Sequence, residues 1–189
     1  MPRPKKAAKK VAKKAAKHSP GHRQTNDLRR AYEHMSRVEI LQRSLKPSDA
    51  KVVTTLATMA REQLEAGNNQ QAADLLRGAE HLSIAALTDQ VSKKVQLSGE
   101  LVQSITEHFN ELTGRAEEHW LKHEEHLGVF TAIYESTRKN AAAAFKHGAY
   151  YQALEFARAT EALAHVSPHG AHKLKRGEKV LSPYFHFES

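Results

Sequence analysis

Apolar side chains recur three and four residues apart along most of this chain, and no segment reads as a strand. Leu28, Ala31, Met35, Val38 and Leu45 begin one stripe. Val52, Val53, Leu56, Met59, Ala60 and Leu64 form a second, and Ala72, Ala73, Leu75, Leu76, Ala79, Leu82 and Ala86 a third. The punctuation between stripes is chemical. Thr25, Asn26 and Asp27 offer capping oxygens to the first helix. Lys46-Pro47-Ser48-Asp49 stops it and caps the next, and Ala66-Gly67-Asn68-Asn69 is a tight turn in which Gly67 can take positive φ. Later, a helix follows Leu127-Gly128 as far as His147, turns at Gly148, and a last one runs from Ala149 to Val166. The pattern predicts an all-α bundle of about six helices.

The fourth of these helices carries the strongest periodicity. From Thr88 to His126, Val91, Val95, Ser98, Val102, Ile105, Phe109, Leu112, Ala116, His119, His123 and His126 fall at spacings of four, then alternating three and four. That is an a/d seam, and it predicts one long central helix of about 58 Å at 1.5 Å per residue. Gly99 and Gly114 each weaken it by about 1 kcal/mol relative to Ala, so a break near Gly114 is the alternative. A seam of this kind also suggests self-association through the long helix.

Charge divides the chain differently. Of 29 Lys and Arg, nine lie in the first 26 residues, where there is no carboxylate; the rest of the chain holds 20 against 21 Asp and Glu. The net +8 therefore belongs to an arm and not to a folded surface. The arm contains Lys5, Lys6, Lys9, Lys10, Lys13, Lys14 and Lys17 on a four-residue repeat with alanines, with Arg3 and Arg23 outside it, and ends in His18-Ser19-Pro20-Gly21-His22. The expected organisation is a disordered basic arm over 1–24, a helical domain over 25–166, and a C-terminal extension over 167–189.

The segment Ala60–Leu82 aligns without gaps on Ala141–Leu163: Gly67 meets Gly148, Gln71 Gln152, Ala72 Ala153, Arg77 Arg158, and Glu80 Glu161. Each is a glycine-turned hairpin, so the chain holds two copies of one hairpin 81 residues apart. Gly148-Ala149-Tyr150 followed by Ala153 and Ala157 resembles the second half of a tetratricopeptide repeat, and Gly67, Ala72, Leu76 and Ala79 resemble it more faintly. The first-helix Trp, the closing Pro and the 34-residue period are missing. The resemblance implies tetratricopeptide-like hairpins serving as a protein-contact scaffold.

The Lys-Lys-Ala-Ala repeat is similar to the tails of linker histones and of Lys/Ala-tailed bacterial histone-like proteins. Its physics stands apart from that likeness. Like charges keep the arm unfolded alone. If helical, Lys5, Lys9, Lys13 and Lys17 form one row and Lys6, Lys10 and Lys14 the next, matching a duplex that offers a phosphate every ~1.7 Å of axis. Such contacts neutralise phosphates without reading bases. The opposite face carries only Ala and Val11, too little apolar area to enter a bilayer. An arm that serves only solubility or electrostatic adhesion is the plainer reading.

His119, His123 and His126 share one helical face at i, i+4, i+7, a spacing able to present ligands to Zn, Ni or Cu. His165, His169 and His172 repeat it across Pro168 and Gly170. No His-Glu-x-x-His or Glu-x-x-His occurs, so these histidines are expected to pack or face solvent. No Gly-x-Ser-x-Gly elbow or phosphate loop occurs, and cysteine is absent, which excludes thiolate chemistry and suits a reducing compartment. The expectation is a cytoplasmic, non-enzymatic protein without a cofactor, nucleoid-associated if its polyanion is DNA. Its arm holds nucleic acid and its body contacts an unidentified protein. The alternative is a tetratricopeptide-like adaptor with an incidental arm, and a third is a metal-binding helical protein.

Overall fold

Pro20 opens the first helix, five residues before the capping oxygens at Thr25. Proline is well suited to a first helical position, because its φ is preset and the N–H it lacks would be unpaired there. Detachment of the arm by breakers at Pro20 and Gly21 was expected; the helix takes in both residues instead. The computed structural model describes residues 20–92, 96–120 and 128–166. Six helices appear among them: α1 Pro20–Gln42, α2 Pro47–Glu65, α3 Asn69–Ser92, α4 Gly99–Trp120, α5 Val129–Lys146 and α6 Tyr150–Ala164. No strand occurs among the described residues. The fold is an all-α bundle.

Local chemistry sets most boundaries. Lys46 is extended (φ −64°, ψ 152°), as a residue preceding proline prefers, and its carbonyl accepts from Ala50 N to close the first turn of α2. At the end of α2, Asn68 N donates to Gln63 O and Gly67 N to Leu64 O; at the end of α5, Ala149 N donates to Ala144 O and Gly148 N to Phe145 O. Both are Schellman turns, with glycine at φ 79° and 74°. A Cβ on Gly67 would meet nothing within 4 Å, so replacement there is opposed by backbone conformation alone. Ala at either glycine should lower stability by about 1 kcal/mol or more, read from urea midpoints. Neutral effects at both positions would contradict this account of the turns.

The single long helix expected over 88–126 is not formed. α3 ends at Ser92, residues 96–98 are not helical, and α4 starts afresh at Gly99. Ser98 marks the new start: its hydroxyl accepts from Leu101 N (3.3 Å) and its carbonyl from Val102 N (3.0 Å). A serine side chain that bonds the backbone this way starts a helix instead of continuing one. Gly114 lies inside α4, so the alternative break is absent too. The stripe survives within α4, where Ile105, Phe109, Leu112 and Ala116 are buried. The long seam proposed for pairing with a second chain loses its basis.

α3 and α6 form the centre. α3 packs on α1, α2 and α6, and α6 packs on α3, α4 and α5. They run antiparallel: Arg77 reaches Glu161 (3.3 Å), His81 reaches Glu155 (2.8 Å), and Gln152 Nε2 donates to Ala85 O (3.2 Å). Gly78 allows the approach. A Cβ there would lie 2.7 Å from Leu163 Cδ2, 2.9 Å from Leu163 Cγ and 3.8 Å from Ala159 O.

The sequence echo extends to the whole architecture. A shift of 81 residues, the separation of Gly67 and Gly148, carries α1, α2 and α3 onto 101–123, 128–146 and 150–173, beside α4, α5 and α6. Ala31 and Leu112, Val53 and Tyr134, Ala60 and Ala141, and Ala72 and Ala153 are equivalent pairs, and all are buried. Gly78 and Ala159 are equivalents too, and they face one another where the halves meet. The described helices form two sets of three whose buried positions recur 81 residues apart. Trp120 stacks on Tyr134 (3.6 Å, 8°) and leans on Phe130, anchoring the end of α4 to α5 as a core residue.

Candidate functional site

The lysines at 5, 6, 9, 10, 13, 14 and 17, and Arg3, lie outside the described residues; Arg23 falls in the first turns of α1. Of the helical histidine triplet, His119 is half-buried against the ring of His165 (centroids 3.9 Å apart), while His123 and His126 lie outside the described residues. Among the described residues, no three His, Asp or Glu side chains are grouped to hold a metal, and no helix is long and apolar enough to cross a membrane.

The structure brings together a set of side chains that the one-dimensional reading did not connect. Glu80 on α3 accepts from His34 Nδ1 (2.6 Å) through one carboxylate oxygen and from Arg37 Nη1 (3.3 Å) through the other. Glu155 on α6 does the same, taking His81 Nδ1 (2.8 Å) on one oxygen and Arg158 on the other. Because Glu80 and His81 are chain neighbours, the two histidine–carboxylate–arginine sets adjoin across α1, α3 and α6. The other half holds Glu161 among Arg77, His165 (3.6 Å) and Arg115 (3.8 Å), and Asp74 beside Arg77 (3.6 Å). Under the same 81-residue shift, Asp74–Arg77 corresponds to Glu155–Arg158, and His34–Glu80 to Arg115–Glu161. The aligned Arg77/Arg158 and Glu80/Glu161 pairs in the echo were the available signal for this network.

These environments move the carboxylates. Burial alone would raise Glu80 and Glu155, but hydrogen bonds from His34 and His81, and the nearby Arg37 and Arg158, hold both below the ordinary range. The His165 hydrogen bond, with Arg77 and Arg115, holds Glu161 down against its burial. Asp74 goes the other way, because burial outweighs Arg77, His165 and Arg30. Burial also pushes the Tyr134 phenol up to about 12.

The three depressed glutamates bind protons less readily folded than unfolded. Their contribution to stability is therefore complete above the ordinary glutamate value of 4.5 and is lost as pH falls below it, toward their folded values. Asp74 has the opposite sign and offsets part of that loss. The urea midpoint should fall steeply below about pH 4.5. In an E80Q/E155Q/E161Q variant the midpoint should be lower at neutral pH and nearly flat through the acid range. An equally steep acid limb in that variant would remove these groups from the account.

The two most exposed large apolar side chains among the described residues lie on α1. Tyr32 is 58% and Ile40 65% exposed, eight residues apart on the outward side of a helix whose inward side, Ala31 and Val38, is buried. No protein family, no curated protein and no solved structure matches the chain.

Proposed function

We propose that this is a non-enzymatic binding protein whose basic arm holds nucleic acid without sequence preference, while the helical body contacts another protein. The observation that carries the reading is the segregation of charge: nine basic and no acidic side chains in the first 26 residues, against a nearly balanced remainder. An electrostatic footprint confined to an alanine-spaced row of lysines suits phosphate neutralisation and provides no base readout. Lys5, Lys6, Lys9, Lys10, Lys13, Lys14 and Lys17 are the phosphate contacts in this reading, and Arg3 and Arg23 are auxiliary.

A second reading is supported by α1. Its exposed Tyr32 and Ile40, on a body built from two glycine-turned hairpins, suit a tetratricopeptide-like adaptor in which the arm is incidental. A pull-down of the full chain separates the two. Nuclease-sensitive nucleic acid should come away with the intact protein and not with a form lacking residues 1–19. A discrete protein captured equally by both forms, with no nucleic acid, would favour the adaptor.

A further inference from the structure

We propose that His34, Arg37, His81 and Arg158 form a phosphate-binding anchor on the body, which seats the backbone of a nucleic acid held by the arm. The anchor rests on the nucleic-acid reading and adds to it a defined contact on the folded domain. In each half of the cluster the carboxylate holds Nδ1 of a histidine, which fixes the ring and leaves Nε2 with no partner among the described residues. The arginines use one nitrogen on the same carboxylates, and they remain 56% (Arg37) and 38% (Arg158) exposed, with further N–H donors available. The histidine side chains are only 15% and 21% exposed. A ligand at either set therefore meets a pre-oriented ring beside an exposed guanidinium group. The groups facing the rings are Arg37 from α1, Glu80 from α3, and Glu155 and Arg158 from α6; among the described residues no side chain of α2 pairs with any of them.

Charge decides what such a site accepts. With both imidazoles neutral, two arginines and two glutamates sum to zero, and a ring that donates through Nδ1 has only a lone pair at Nε2. A phosphate oxygen needs a donor there. Protonation supplies it, and the imidazolium then sits between a carboxylate on Nδ1 and a phosphate on Nε2. Binding of a phosphate at Nε2 therefore takes up protons and tightens as pH falls. The site is also in reach of the arm. From Pro20 to His34 is about 21 Å of helix at 1.5 Å per residue, the rise of about six nucleotides at ~3.4 Å each. A strand lying along α1 spans the distance from the arm's junction at Pro20 to the anchor.

The test uses the full chain and a 20-base-pair duplex of random sequence at fixed ionic strength, with histidine side-chain resonances followed by NMR. The wild-type protein should bind about tenfold tighter at pH 6 than at pH 8, and the duplex should shift the His34 and His81 imidazole signals. An H34Q/H81Q variant should lose the gain, while H18Q/H22Q, altering histidines nearer the lysines, should retain it. R37Q/R158Q should weaken binding at pH 6 with the histidine pairing intact. Unmoved His34 and His81 signals in the wild type, or a full gain in H34Q/H81Q, overturns the anchor while leaving the arm's role in place. No binding of duplex at either pH overturns the nucleic-acid reading itself.

Discussion

Removing residues 1–19 should lower affinity for duplex DNA by more than about a hundredfold at 50 mM salt. The deletion takes away eight of the 29 basic residues and leaves α1 intact from Pro20. What remains is 21 Lys and Arg against 21 Asp and Glu, a surface without net attraction for a polyanion. The loss should be nearly the same for duplexes of different sequence, because row-on-row contacts between lysines and phosphates carry no base information. Fluorescence anisotropy with labelled duplexes measures it. A truncated protein binding as tightly as the intact chain would move the nucleic-acid contact onto the body and refute the division of labour. The histidine anchor is a modest addition to this large term, visible chiefly as pH dependence.

The second large effect concerns the junction of the two halves. Gly78→Leu should destabilise the fold by about 3 kcal/mol or more. The gain in helix propensity from losing a glycine, about 1 kcal/mol, works in the opposite direction. Sterics win because even a Cβ would stand 2.7 Å from Leu163, a residue with no solvent exposure in a close-packed interior. Gly114→Leu is the control. A Cβ at Gly114 meets nothing within 4 Å, so that substitution should be neutral or stabilising by the propensity term alone. Thermal or urea unfolding of both variants decides the matter, and a Gly78→Leu protein as stable as the parent would show that α3 and α6 do not meet as closely as described.

What could be read from the chain before its structure divides by the range of the interaction. The Gly67 and Gly148 turns, the stop at Pro47 and the buried faces of α2 and α3 depend on residues within one or two turns of each other, and all were legible. The long helix failed because a heptad pattern reports which face is apolar and is silent about which side chain competes for the backbone. Ser98 does so, and Gly99 beside it weakens continuation. The start of α1 was misplaced because Pro20 and Gly21 read as breakers, whereas proline at a first helical position favours initiation. The polar network was out of reach for a different reason. His34 and Glu80 are 46 residues apart and His81 and Glu155 are 74, so their pairing depends on tertiary packing. Only the internal echo carried a trace of it.

The echo also gives the architecture its logic. α3 and α6 are equivalent helices meeting antiparallel, so Arg77 of one half finds Glu161 of the other while Gly78 faces its own equivalent, Ala159. The duplicated scaffold is not duplicated in chemistry. The position of His34 is occupied by Arg115 in the second half, and there the histidine on Glu161 is His165, bonded through Nε2 instead of Nδ1. Among the described residues, the two rings held at Nδ1 by hydrogen bonds to glutamates, His34 and His81, lie on α1 and α3, and α1 is the helix that follows the arm in sequence.

The most direct measurement of the central claim is the salt dependence of DNA binding by the intact chain. If the lysine rows neutralise about six phosphates, log K should fall against log salt with a slope near −5, and affinity should drop roughly a thousandfold between 50 and 200 mM. A nearly flat response would contradict the claim that the arm holds nucleic acid through its charge.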